Sequence, residues 1–130
     1  IDDYAHHPSE IKATLDAAAI EKKKCIITVF QPHRYSRLAN LYTKFNECFR
    51  NTDVLVITDV FGSNERPIPG VTARLLVDSL IEDGYDKRIA YIPSLKDIPD
   101  YLGMIIKKDD IVILMGAGDI TRVTDELLKK

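Results

Sequence analysis

Apolar residues recur along this chain in two alternating patterns: short unbroken runs, and stretches where they return every three or four positions. The runs are 25–30 (CIITVF), 54–60 (VLVITDV), 89–92, closed by Pro93, and 111–115 (IVILM). Runs of this length, rich in β-branched residues, predict strands buried on both faces. Ile1, Asp2, Asp3 and Tyr4 predict the tail of a further, truncated strand. Ile11, Leu15, Ala18 and Ala19 fall on one helical face, and Pro8 suits the first turn of that helix, where its missing N–H costs nothing. Leu38, Leu41, Tyr42, Phe45, Cys48 and Phe49 give the clearest helical period. A Gly/Pro-rich loop over 61–70 leads to a helix near 71–81. Leu95, Ile98, Leu102, Ile105 and Ile106 continue the helical period, and Pro99 places a turn at 94–97 ahead of the main helix. Ile120, Val123, Leu127 and Leu128 predict the last helix, with Asp119 as its N-cap.

Strands and helices that alternate in this way predict an α/β domain, a mostly parallel sheet with helices on both faces. In such sheets ligands sit beyond the carboxyl ends of the strands. That edge comprises residues 3–8, 31–37, 59–70 and 116–119. The 130 residues match one domain with one buried core, and no repeat or internal boundary divides them. At 45% hydrophobic and 29% charged, the composition is that of a globular chain. Eighteen basic residues against twenty acidic give a net charge of -2, which argues against nonspecific binding to nucleic acid or to an acidic membrane. No apolar run reaches the ~18 residues of a membrane span. Cys25 and Cys48 sit in apolar patterns without metal spacing, and are expected as buried free thiols of a reducing compartment. The start at Ile1, with functional residue types following at once, leads us to expect a piece of a longer protein.

The chemistry concentrates at the expected carboxyl edge. Asp2, Asp3, Tyr4, His6 and His7 fall within six residues, just before Pro8. His33, the third histidine, follows the next strand, beside Arg34 and Arg37. Arginine forks suit carboxylate or phosphate. The same histidines and aspartates are competent metal ligands, but adjacent His6 and His7 point apart, and no metal site is expected. The loop 61–70 carries Glu65 and Arg66 and reads equally as a rigid surface turn. Gly116-Ala117-Gly118 is half of a phosphate-binding turn, with Thr121 where a third glycine would stand, and a tight turn explains it as well. No G-x-x-x-x-G-K-[ST] occurs, so a triphosphate would need another domain.

Asp3-Tyr4-Ala5-His6-His7-Pro8 resembles the D-x-A-H-x-P signature that opens the C-terminal domain of the Mur ligase and folylpolyglutamate synthetase superfamily. The double histidine, with Phe30-Gln31-Pro32-His33-Arg34-Tyr35-Ser36-Arg37, Pro67-Ile68-Pro69-Gly70 and Gly116-Ala117-Gly118-Asp119-Ile120, is similar to the alanine-adding branch of that family. The resemblance implies a Rossmann-like three-layer domain that closes over ATP and brings the amino acid. It implies ATP- and Mg²⁺-dependent amide synthesis in the bacterial cytoplasm, joining L-alanine to UDP-N-acetylmuramate for peptidoglycan. The N-terminal and central domains of the same chain would hold the UDP-sugar and most of the ATP and Mg²⁺. Carried over by residue, the resemblance gives catalytic roles to His6 and Arg34. It sets Asp3 and His6 toward the nucleotide, and gives Tyr4, His7, His33 and Arg37 to substrate. Which arginine takes the alanine carboxylate and which the phosphate stays open.

Three other readings compete. A murein tripeptide ligase shares the opening motif but lacks the Gln-Pro-His-Arg-Tyr run. A free-standing module would bind a small anion at Arg34 and Arg37 without catalysis. A metal-dependent hydrolase would use the histidine cluster.

Overall fold

The structure, a computed structural model, describes residues 2–3, 7–20 and 25–128. Five strands form one sheet: β1 (Asp2–Asp3), β2 (Ile26–Phe30), β3 (Val54–Ile57), β4 (Arg88–Tyr91) and β5 (Ile111–Met115). The order across the sheet is β1-β5-β2-β3-β4, and every pairing is parallel. β2 lies at the centre and all five of its residues are buried, which is why its sequence is an unbroken β-branched and aromatic run. At its amino end, Asp53 Oδ2 accepts from Ile26 N–H at 2.8 Å. The buried Thr28 hydroxyl donates to Thr52 Oγ1 at 2.8 Å, and Thr52 donates onward to the Ile26 carbonyl at 3.0 Å. The two buried hydroxyls are therefore satisfied, as burial demands.

The helices divide between the two faces. α1 (Pro8–Ile20), α2 (Tyr35–Leu41) and α3 (Ala73–Glu82) cover one face, with a 3₁₀ segment (Tyr42–Glu47) running on from α2. Their Ile11, Leu15, Leu38, Phe45, Leu76 and Leu80 pack on Ile26, Phe30, Leu55 and Ile57. A second 3₁₀ turn (Leu95–Asp97), α4 (Ile98–Ile105) and α5 (Thr121–Leu128) cover the other. There Ile98, Leu102, Ile120 and Val123 meet Ile27, Val29, Val56 and Leu114. Alternate residues of each strand thus feed opposite cores, as a pleat requires.

The helix expected across 38–49 is in fact two segments, α2 and the 3₁₀ turn. The spacing of its apolar residues serves both geometries. The tighter turn lets Phe45 and Phe49 stack at 6.4 Å while each sits 5.3–5.4 Å from Phe30. Cys25 also departs from expectation: it stands one residue before β2 and is exposed, whereas Cys48 is buried, and both are free. The turn and helix expected around Pro99 are found, with Pro99 in the first turn of α4.

Candidate functional site

The chain leaves β2 toward one face and β5 toward the other, so a crevice opens between their carboxyl ends. Gln31 bridges it. Its N–H donates to the Met115 carbonyl at 3.0 Å, and its Nε2 donates to Asp119 Oδ1 at 2.7 Å. Asp119 was expected as the N-cap of α5, but the helix starts two residues later, at Thr121. Its carboxylate serves Gln31 instead, while its carbonyl accepts from Arg122 N–H at 3.1 Å.

The loops after β2 and β3 are joined more tightly still. His33 pairs with Phe61 in a parallel bridge. Phe61 N–H donates to the Pro32 carbonyl at 2.9 Å, and Arg34 N–H donates to the Phe61 carbonyl at 2.8 Å. The His33 and Phe61 rings stack at 5.8 Å, inclined by 14°. The Phe61 ring also lies against Gly118, where a Cβ would stand 2.3 Å from Phe61 Cγ. Gly118 has no positive φ, so it is needed here for close approach and not for conformation. Three loops thus close on one aromatic ring.

This frame presents the arginines. Arg34 holds φ 69° and ψ 132°, a rare combination for a residue with a side chain. It is the N-cap of α2 and makes no side-chain cap. The cap comes from Glu65, whose Oε1 accepts from Ser36 N–H at 3.1 Å and whose Oε2 accepts from the Ser36 hydroxyl at 2.5 Å. The Ser36 hydroxyl bond first, then its backbone bond, hold the Glu65 carboxyl below its usual range, and the Arg34 charge acts in the same direction. Arg34, Ser36, Arg37, Asn40 and Leu41 line a shallow cleft of about 330 Å³. Arg37 Nη1 is buried and has no hydrogen-bond partner among the described residues. A buried guanidinium donor without an acceptor is costly, and an anion would satisfy it. A cleft of similar size lies between the second 3₁₀ turn and α5, but it mixes Lys96 and Arg122 with Asp100 and Glu126 and offers no field of one sign.

The remaining expected residues fall as follows. Tyr4 and His6 lie outside the described residues, and Asp3 ends β1, paired with Met115. His7 precedes Pro8 at the start of α1. Its N–H donates to Glu10 Oε1 at 3.1 Å, and its Nδ1 accepts from Ser9 N–H at 3.4 Å. This is a capping box with imidazole in place of a hydroxyl. The Ser9 hydroxyl lies 3.0 Å from the same Nδ1. Among the described residues, no three His, Cys, Asp or Glu gather as metal ligands would. Sequence reading did not find the contacts of Gln31, Ser36 and Phe61. A Glu three residues after His7 was the one signal available for the cap.

A family model described as "Mur ligase, glutamate ligase domain" matches residues 1–118. The chain is 46% identical, over its whole length, to a UDP-N-acetylmuramate–L-alanine ligase of Pelotomaculum thermopropionicum, and 43% identical to one of Desulforamulus reducens. It spans 28% of the length of each of these curated relatives. Among solved structures, the UDP-N-acetylmuramate–alanine ligase of Thermotoga maritima superposes with a TM-score of 0.74 at 26% identity, covering 99% of this chain and 25% of that one. A murein peptide ligase of Psychrobacter arcticus shares the fold, with a TM-score of 0.78 at 17% identity over 98% of this chain and 26% of its own. The matched region takes in all five strands and the three loops that meet at Phe61, and the chain belongs to the Mur ligase family, as its C-terminal domain.

Proposed function

We propose that this chain is the third domain of a three-domain ligase that joins L-alanine to UDP-N-acetylmuramate in peptidoglycan synthesis. The observation that carries the reading is the arginine cleft with its buried, unsatisfied Arg37 Nη1. In the reaction, the muramoyl carboxylate attacks the γ-phosphate of ATP and ADP leaves, giving an acyl phosphate; the alanine amine then displaces phosphate through a tetrahedral intermediate and gives up a proton. Arg37 takes the alanine carboxylate. Arg34, held at the end of β2, faces the oxygens on which charge develops, where fixed donors lower a barrier most. His33 supports the same anion from its place on the Phe61 ring. Asp3 and His6 serve the nucleotide side, and Tyr4 and His7 shape the alanine pocket. Domain closure over this crest excludes water from the acyl phosphate.

ATP enters as a substrate and Mg²⁺ accompanies it. The P-loop sequence is lacking, and the described residues gather no metal-ligand set. Both belong mainly to the central domain in this reading, and the whole enzyme works in the cytoplasm. The test uses the full-length enzyme with UDP-N-acetylmuramate, L-alanine and ATP. Arg37→Ala is expected to lower kcat/KM for alanine about 30- to 1000-fold with no loss of melting temperature. Wild-type kinetics in that variant would remove the cleft from the reaction.

A further inference from the structure

The loop 61–70 is tied to the arginine segment at both ends of a short stretch. Phe61 exchanges backbone bonds with Pro32 and Arg34, and Glu65 accepts both the N–H and the hydroxyl of Ser36. These ties bracket Arg34, whose φ of 69° persists only where neighbours over-determine it. Ser36 lies between Arg34 and Arg37 in sequence, and all three line one cleft. The turn that delivers Glu65 is compact. Glu65 N–H donates to the Gly62 carbonyl at 3.1 Å, and Ser63 and Asn64 both take positive φ. Gly62 packs so closely that a Cβ would meet the Tyr35 ring and the Glu65 carbonyl, each at 3.1 Å. The turn thus delivers the Glu65 carboxylate with both oxygens on one serine.

We propose that Glu65 is a positioning residue for amino-acid capture: by clamping Ser36 it fixes Arg34 and Arg37 as a pair facing the carboxylate and the reacting oxygens. The inference rests on the reading of the arginine cleft given above. Glu65 itself touches no substrate. It acts through the segment that carries both guanidinium groups, where a displacement of about 1 Å is enough to cost two orders of magnitude in rate.

The test compares Glu65→Ala, Glu65→Gln, Ser36→Ala and Arg34→Ala in the full-length ligase, with kcat and KM measured for each of the three substrates. Glu65→Ala is expected to lower kcat/KM for L-alanine about 10- to 100-fold, while KM for ATP and for the UDP-sugar stays within about twofold. Glu65→Gln keeps one acceptor oxygen and can turn its NH₂ toward the rotatable Ser36 hydroxyl, so it should recover to within about threefold of wild type. Ser36→Ala loses one of the two bonds and keeps the helix, so it should fall between. It carries the same test should Glu65→Ala not accumulate as folded protein. Normal alanine kinetics in Glu65→Ala, or an equal rise in KM for all three substrates, would overturn the proposal. If Arg34→Ala is itself unimpaired, the arginine cleft reading fails and takes this inference with it. If Arg34→Ala is impaired and Glu65→Ala is not, the role of Glu65 alone fails.

Discussion

Arg34 combines a strained backbone with the site role proposed for it. Its φ of 69° is disfavoured for any residue with a Cβ, and such conformations cost roughly 1–3 kcal/mol. Glycine adopts that conformation freely and is accepted at an N-cap. Arg34→Gly is therefore expected to leave stability unchanged or raise it by about 1 kcal/mol, after allowing for the entropy glycine gains in the unfolded chain. The same variant should lose ligation about 30- to 1000-fold in the full-length enzyme. A denaturant midpoint and kcat/KM from one preparation check both halves, and a variant that is less stable but fully active would contradict both. The two thiols give a second contrast. Cys25 is exposed, whereas Cys48 is 3% exposed and burial pushes its thiol up to about 12. One thiol should react with an aromatic disulfide in the native protein and the second only on unfolding. In the unfolded chain a thiol ionises near pH 8.5, so between about pH 9 and 12 the unfolded state gives up a proton that the folded state keeps. Stability must therefore fall as pH rises through that window. Tyr85, raised mainly by burial, acts in the same direction. Urea melts of wild type and Cys48→Ala at about pH 8 and about pH 11 should show a smaller loss in the variant.

Among the elements, what could be read from the sequence depended on what the signal had to encode. β2 and β5 were legible because a strand covered on both faces is built from a continuous run of apolar and β-branched residues; the run 111–115 matches β5, and the run 25–30 overshoots β2 by Cys25 alone. The break between α2 and its 3₁₀ continuation was not legible, since repeats at three and four residues satisfy either helix. Cys25 was misplaced because an apolar run does not mark where pairing stops. The candidate site was legible only as residue types expected at one sheet edge; of these, Arg34 and Arg37 share a cleft. Its supports were not, because Ser36 and Glu65 are 29 positions apart and Gln31 and Asp119 are 88 apart, and only the fold makes them neighbours. Gly116-Ala117-Gly118 illustrates the ambiguity of a motif. Gly116 packs on Gln31 and Ile120, and Gly118 packs on Phe61, so both glycines serve loop closure. Gly118→Ala would drive a methyl group to 2.3 Å from Phe61 Cγ, and the ring must move. Overpacking of this kind costs about 1–3 kcal/mol. Because Phe61 also stacks on His33 and pairs with Arg34, the loss should reach the site. Gly118→Ala is expected to lower both the melting temperature and alanine kcat/KM, whereas Gly103→Ala, with open space at its Cβ inside α4, should raise the melting temperature slightly and leave alanine kinetics unchanged. Equal behaviour of the two variants would show that Phe61 is free to give way.

At the scale of the molecule, the sheet is covered on both faces by cores that share its strands, so neither face can melt while the other stays packed. The α1–α3 core includes Phe30, Leu55 and Ile113, and the α4–α5 core includes Val29, Val56 and Leu114, their immediate chain neighbours. Losing either set of helices would expose strand residues worth about 1.5–3 kcal/mol each, more than a small domain can spare. The chain expressed alone is therefore expected to unfold in one transition, with far-ultraviolet circular dichroism and the environment of half-buried Tyr85 changing together. Function divides differently. In the proposed reading the arginine cleft, Gln31 and the Phe61 frame form one wall of a site shared with other domains, and the sequence lacks the P-loop that would hold a triphosphate. The isolated chain should accordingly neither hydrolyse ATP nor form the amide from UDP-N-acetylmuramate, L-alanine, ATP and Mg²⁺. Addition of the remaining domains, as separate protein or in the full chain, should restore turnover. The two outcomes are separable by experiment. A broad melt whose two probes disagree would show that the faces are not coupled, whatever the activity. A cooperative melt with turnover near that of the full-length enzyme would show that this single domain holds a complete active site, and the assignment of ATP to a partner domain would have to be withdrawn.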